Sequence, residues 1–175
     1  MSTISRNLTA LTYIIYTLAL IIAVSPIVFF WFPESITFME HDLLREYGGI
    51  SKLEMWQKLL GFFVTSLPAA LLLLALRYLL KLLNALKAEL WFEENSERMC
   101  RRFGQALLWY VGAEILHRTL LVLVLTATYP PGQHELHLSF SNNDLMALVP
   151  AIFAMIFAHI VSLGRAQREE LKQII

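Results

Sequence analysis

The sequence is poor in the residues that most chemistry needs. It has one cysteine, Cys100, which excludes an intrachain disulfide and any zinc or iron–sulfur site built from several thiols. Charge is scarce as well: Asp, Glu, Lys and Arg make up 16% of the chain, against about a quarter in soluble domains. The fourteen basic residues cancel the fourteen acidic ones, so no global field draws the chain to nucleic acid or to an anionic surface. There is no Gly-rich phosphate loop, no nucleophile elbow and no pair of carboxylates set for hydrolysis. Neither a cofactor nor a catalytic residue is expected, and the chain does not read as an enzyme.

What is abundant is apolar side chain, 57% of 175 residues, more than a core of this size can absorb, so the lipid bilayer is the expected surrounding. A helix rising about 1.5 Å per residue needs roughly 20 apolar residues to cross a hydrocarbon core of about 30 Å. Four stretches meet that test: Leu8–Phe32, Leu59–Leu80, Ala106–Thr128 and Leu145–Leu163, the last ended by Gly164. The first follows Arg6 but lacks a small-residue cleavage site, so it reads as a retained span and not as a secretion signal. Trp31, Trp56 and Tyr129 stand where an interfacial aromatic belt would hold them. The expected fold is all-α: one domain over residues 1–175, an integral membrane four-helix bundle with two outward hairpin loops and cytoplasmic helical extensions.

Orientation follows from the tendency of Lys and Arg to remain cytoplasmic. Arg6 marks the N-terminus; Arg77, Lys81, Lys87, Arg98, Arg101 and Arg102 crowd the middle connection; Arg165, Arg168 and Lys172 mark the tail. The loop after the first span carries Arg45, Lys52 and Lys58, and the loop after the third carries none. Both termini and the segment 81–105 are thus expected in the cytoplasm, with a bacterial-type inner membrane as the location. Basic residues at helical spacing among leucines carry the second helix past the interface to Lys87. Beyond it, Glu94 with Arg98 and Glu97 with Arg101 stand four apart, the spacing that supports an exposed helix. Pro26, Pro68 and Pro150 fall within or near the start of spans, where a missing N–H can kink a helix or shape a cavity.

The one internal polar constellation is in the third span. Glu114, His117 and Arg118 lie at i, i+3 and i+4 and share a face with Tyr110. A charge at the bilayer centre costs about 2.5–3.5 kcal/mol even on lenient scales, so the stripe must turn inward, where Glu114 and Arg118 can pair. His117 would then meet Tyr13, Tyr16 and Thr17 of the first span, and His159 of the fourth span would come within side-chain reach of Glu114. Such a set serves either as a satisfied polar core that fixes helix register or as a proton relay or polar substrate site. The depths of His117 and His159 differ by about 10 Å along their helices, too much for two axial ligands of one haem. Outside the spans, His134, His137 and His41 are weak candidates for a metal, because His-x-x-His beside Pro130-Pro131-Gly132 is not the helical spacing of zinc sites.

The segment Ala88-Glu89-Leu90-Trp91-Phe92-Glu93-Glu94-Asn95, followed by Arg98, Arg102 and Gly104, and the tail from Phe157 through Gly164 to Glu169 and Glu170, resemble the post-span stretches of a bacterial membrane protein family known as domain of unknown function 2975. The resemblance implies four spans over nearly the whole chain and brings no activity with it. Glu93, Glu94, Asn95, Arg98, Arg102, Gly164, Glu169 and Glu170 are the residues expected to dock a cytoplasmic protein partner, and a homo-oligomer is a further possibility. Two functions compete on this reading: a non-enzymatic interaction, sensory or regulatory module, and a small oligomeric transporter or proton-coupled exporter that uses the Glu/His/Arg stripe.

Overall fold

A computed structural model describes residues 3–32, 53–88, 94–127 and 142–174, which are helical almost throughout. There are four helices among them: α1 (Thr3–Trp31), α2 (Met55–Lys87), α3 (Glu94–Thr126) and α4 (Asn142–Ile174). Each is long and apolar enough to cross a membrane. They run up and down, so that the start of α1, the end of α2, the start of α3 and the end of α4 share one end of the bundle. Lys87 near the end of α2 donates to the Thr12 hydroxyl early in α1 at 2.8 Å, and Arg165 late in α4 lies 3.8 Å from Glu97 in the first turns of α3.

Helix α2 opens on Glu54, whose backbone N–H donates to the Gln57 side chain at 3.0 Å in a capping box. The Gln57 amide donates in turn to the Val124 carbonyl of α3 at 3.0 Å, which joins the start of one helix to the end of its neighbour and satisfies a polar group that is 2% exposed. Acidic Glu94 and Glu97 occupy the first turn of α3, where they complement the helix dipole.

The fourth helix departs from the expected end at Gly164. It continues to Ile174, because a glycine inside a helix costs only about 1 kcal/mol and the Arg, Ala, Gln, Glu, Leu and Lys that follow are strong helix formers. The second helix matches expectation, continuing unbroken to Lys87, and α3 runs from the charged segment into the apolar span without a break.

Among the described residues, three apolar clusters hold the bundle. Near the end distant from the termini, Phe30 of α1 packs on Leu121 and Leu125 of α3. Its ring covers Gly61 so closely that a Cβ there would lie 2.7 Å from the ring. Toward the other end, Ile15 of α1 meets Leu76 and Leu83 of α2. Between them, Ala75 of α2, Ala106 and Leu107 of α3 and Ala151 of α4 form a cluster dominated by small residues. Gly104 extends this close approach: a Cβ there would lie 3.0 Å from Met155 and 3.3 Å from the Ala151 carbonyl. Small residues at a helix crossing let backbones approach where lipid supplies no hydrophobic drive between helices. Many other large apolar side chains, among them Ile14, Leu20, Phe63, Trp109, Phe153 and Ile156, face outward, as lipid-facing positions do.

Candidate functional site

Helix α3 is the most enclosed of the four: 39% of its most apolar window is buried, against 17% in α1 and α2 and 22% in α4. This position lets it carry ionisable residues in an apolar setting. Glu114, His117 and Arg118 do turn inward, with His117 and Arg118 buried and Glu114 partly so. One carboxylate oxygen, Glu114 Oε1, lies 3.7 Å from Arg118 Nη2 and 3.9 Å from His117 Nδ1. The other ring nitrogen, His117 Nε2, shares a hydrogen bond of 3.0 Å with the Thr65 hydroxyl of α2. The stripe is therefore a connected set across two helices, Thr65–His117–Glu114–Arg118, and the bond to Thr65 fixes how the imidazole is turned.

The set borders a partly open pocket of about 410 Å³ between α1, α2 and α3. Ile22, Ser25, Pro26 and Phe29 line it from α1; Thr65, Pro68, Ala69 and Leu72 from α2; Tyr110, Glu114, His117 and Leu121 from α3. Two of the three helix prolines thus face the same space as Glu114. A proline inside a helix leaves the carbonyl four residues earlier without its usual N–H donor. For Pro26 that carbonyl belongs to Ile22, and the Ser25 hydroxyl donates to it at 3.0 Å. Pro150 lies in α4, is exposed and does not border the pocket.

The structure keeps some of the expected residues apart. His159 is exposed. Met155 meets Gly104, and Arg165 meets Glu97, a register that sets His159 beside the region of Cys100, about 26 Å along α3 from His117. It takes no part in the stripe, because α4 is shifted toward the termini relative to a hairpin with level ends. Tyr13, Tyr16 and Thr17 are exposed too, with the Thr17 hydroxyl donating to the Tyr13 carbonyl; Thr65 fills the role expected of them. Its signal was a polar Thr65-Ser66 pair in mid-span, interpretable only once α2 and α3 are aligned.

At the termini end, Arg98 pairs with Glu94 at 2.7 Å and Arg101 with Glu97 at 3.2 Å. Arg165 bridges from α4 to both acids, at 3.9 Å from Glu94 and 3.8 Å from Glu97, a cross-helix link that sequence spacing does not reveal. Asn95, Arg102 and Glu170 are exposed and Gly164 is half-buried. Glu93, the Glu169 side chain, His41, His134 and His137 lie outside the described residues. Among the described residues, no three His, Cys, Asp or Glu side chains gather as metal ligands would.

No protein-family model, curated protein or solved structure matches the chain. Fold and site therefore define the class by themselves: this is a multi-pass membrane protein built as an all-α four-helix bundle, with a connected polar set inside it.

Proposed function

We propose that the protein is a non-enzymatic interaction, sensory or regulatory module of a bacterial inner membrane, with both termini and the α2–α3 connection in the cytoplasm. The observation that carries this reading is the continuity of α3. One uninterrupted helix bears the buried Glu114–His117–Arg118 set in its middle and the exposed Glu94, Asn95, Arg98 and Arg102 at its start. A rearrangement at the buried set is thereby linked mechanically to the charged end, where Arg165 joins α3 to α4. The concentration of Lys and Arg at that end supports its cytoplasmic placement, and the resemblance to the domain of unknown function 2975 family supports the four-span bacterial setting. A cytoplasmic protein docking on this end is the expected partner.

Affinity purification of the tagged full chain from native membranes, beside an Arg98→Ala, Arg102→Ala, Glu170→Ala variant, tests the proposal. The expected result is a partner whose yield falls at least tenfold in the variant. Recovery of no partner that depends on these residues would overturn it.

A second reading, a small oligomeric transporter or proton-coupled exporter, is favoured by the pocket that Glu114 and His117 border. Flux and pH response in proteoliposomes separate the two: a transporter loses them on Glu114→Gln, whereas a docking module has no flux to lose.

A further inference from the structure

We propose that the pocket between α1, α2 and α3 is a binding site for a lipophilic monocation, an organic ammonium with an apolar or aromatic body. Its volume, about 410 Å³, falls in the range of small-molecule sites, which are mostly apolar with a few convergent polar groups. The walls fit that description. Glu114 is the only acid among the lining residues and no Lys or Arg is among them; Arg118, 3.7 Å from the carboxylate, does not line the space. The wall that a ligand contacts thus offers a carboxylate and no guanidinium or ammonium.

The separations of Glu114 Oε1 from Arg118 and His117, 3.7 and 3.9 Å, exceed the 2.7–2.9 Å or so of a tight charge-assisted hydrogen bond. Arg118 meanwhile offsets the acid's charge when the pocket is empty. Phe29 and Tyr110 add aromatic rings to the wall, and ring faces attract a desolvated cation. An anion would face Glu114 unfavourably, and a neutral body would gain only the apolar contacts. Pro26 and Pro68 border the same space, where backbone irregularity is tolerated because it lines a cavity and not lipid. The inference goes beyond both readings of function, since it names what is bound and not what binding achieves.

The test uses the full chain in phosphatidylcholine nanodiscs, titrated calorimetrically with benzyltrimethylammonium, its neutral isostere neopentylbenzene and the anion benzenesulfonate. The expected result is saturable binding of the cation at one site per chain, at least tenfold tighter than either of the others. Ala69→Leu, which fills the pocket and leaves every charge in place, is expected to weaken the cation at least tenfold. Glu114→Gln with Arg118→Gln, which keeps the interior neutral, is expected to abolish the preference for cation over isostere. Helical circular dichroism and monodisperse elution establish that each variant is folded, and Ala69→Leu decides alone if the double variant is not. Equal binding of cation and isostere to the wild type, or cation binding unchanged in Ala69→Leu, would overturn the proposal. Neither outcome requires a cytoplasmic partner, so failure here leaves the docking experiment independent.

Discussion

Two charged regions of α3 use the same residue types at the same spacing and live in opposite surroundings. Glu94 and Arg98, four apart at the termini end, have side chains 62% and 55% exposed. Glu114 and Arg118, also four apart, are 19% and 9% exposed. The exposed pair has the shorter separation, 2.7 against 3.7 Å, but distance does not rank them by consequence. In water an exposed pair contributes about 0–1 kcal/mol, because solvent screens it and both side chains surrender rotamer freedom. In an apolar interior neither charge can be left alone, so each member is held in place by the cost of removing the other. The spacing sets who meets whom; the surroundings set how much it matters.

The largest expected effect comes from breaking the buried pair on one side. Arg118→Ala leaves Glu114 without its principal counter-charge and is expected to destabilise the fold by about 3–5 kcal/mol, read as a loss of monodisperse protein and a lower thermal midpoint in detergent. Replacing both, Glu114→Leu with Arg118→Leu, removes the charges together and is expected to restore stability to within about 1–2 kcal/mol of wild type or above it. If the double variant is as damaged as the single one, the pair is not what makes the single change costly.

The next effect contrasts two glycines of α3. Gly104 lies against Met155 and the Ala151 backbone, whereas nothing lies within 4 Å of a Cβ on Gly112. Gly104→Val is expected to cost about 1–3 kcal/mol by forcing α3 and α4 apart. Gly112→Ala is expected to be neutral, or stabilising by up to about 1 kcal/mol, since alanine is the better helix former. Thermal unfolding followed by circular dichroism checks both, and a Gly104→Val protein as stable as Gly112→Ala would remove the case for close packing at that crossing.

Much of this comparison was legible in the sequence, and the part that was not has a physical reason. The i, i+4 relations within α3 follow from helix geometry alone, so both Glu–Arg pairs and the inward turn of the stripe were readable. Relations between helices depend on register, which apolar spans do not encode sharply because many leucines and alanines fit equally well. Thr65 and Gln57 were missed as cross-helix partners for that reason, and so was the shared location of Pro26, Pro68 and Glu114 at one pocket. The supposed approach of His159 to Glu114 failed on the same point: it assumed hairpin helices with level ends, and α4 is displaced toward the termini. Arg165 escaped notice because its acids are some seventy residues earlier in the chain.

The link between the buried set and α2 makes a smaller, sharper test. A double-mutant cycle of Thr65→Val with His117→Phe isolates the hydrogen bond that the 3.0 Å separation implies. Its coupling energy is expected near 0.6 kcal/mol and below about 1.7, the range of interhelical hydrogen bonds measured inside membranes. Zero coupling would mean that the contact with Thr65 does not orient the imidazole.

The exposed end should respond least, and differently in kind. Glu94→Gln removes the partner of Arg98 and one of the two acids facing Arg165, yet the expected loss is about 0.2–1 kcal/mol at low salt. Because these groups are in reach of solvent ions, with a screening length falling from about 10 Å at 0.1 M to about 3 Å at 1 M, the difference between variant and wild type is expected to shrink toward zero as salt rises across that range. The buried pair, screened far less, should keep the difference between Arg118→Ala and wild type over the same titration. Thermal midpoints of the three proteins at a series of salt concentrations therefore separate the two regions by a sign that distance cannot give. If Glu94→Gln costs more than about 1 kcal/mol and ignores salt, Arg165 ties α3 to α4 as a desolvated bridge, and the charged end is part of the scaffold as much as a surface for a partner.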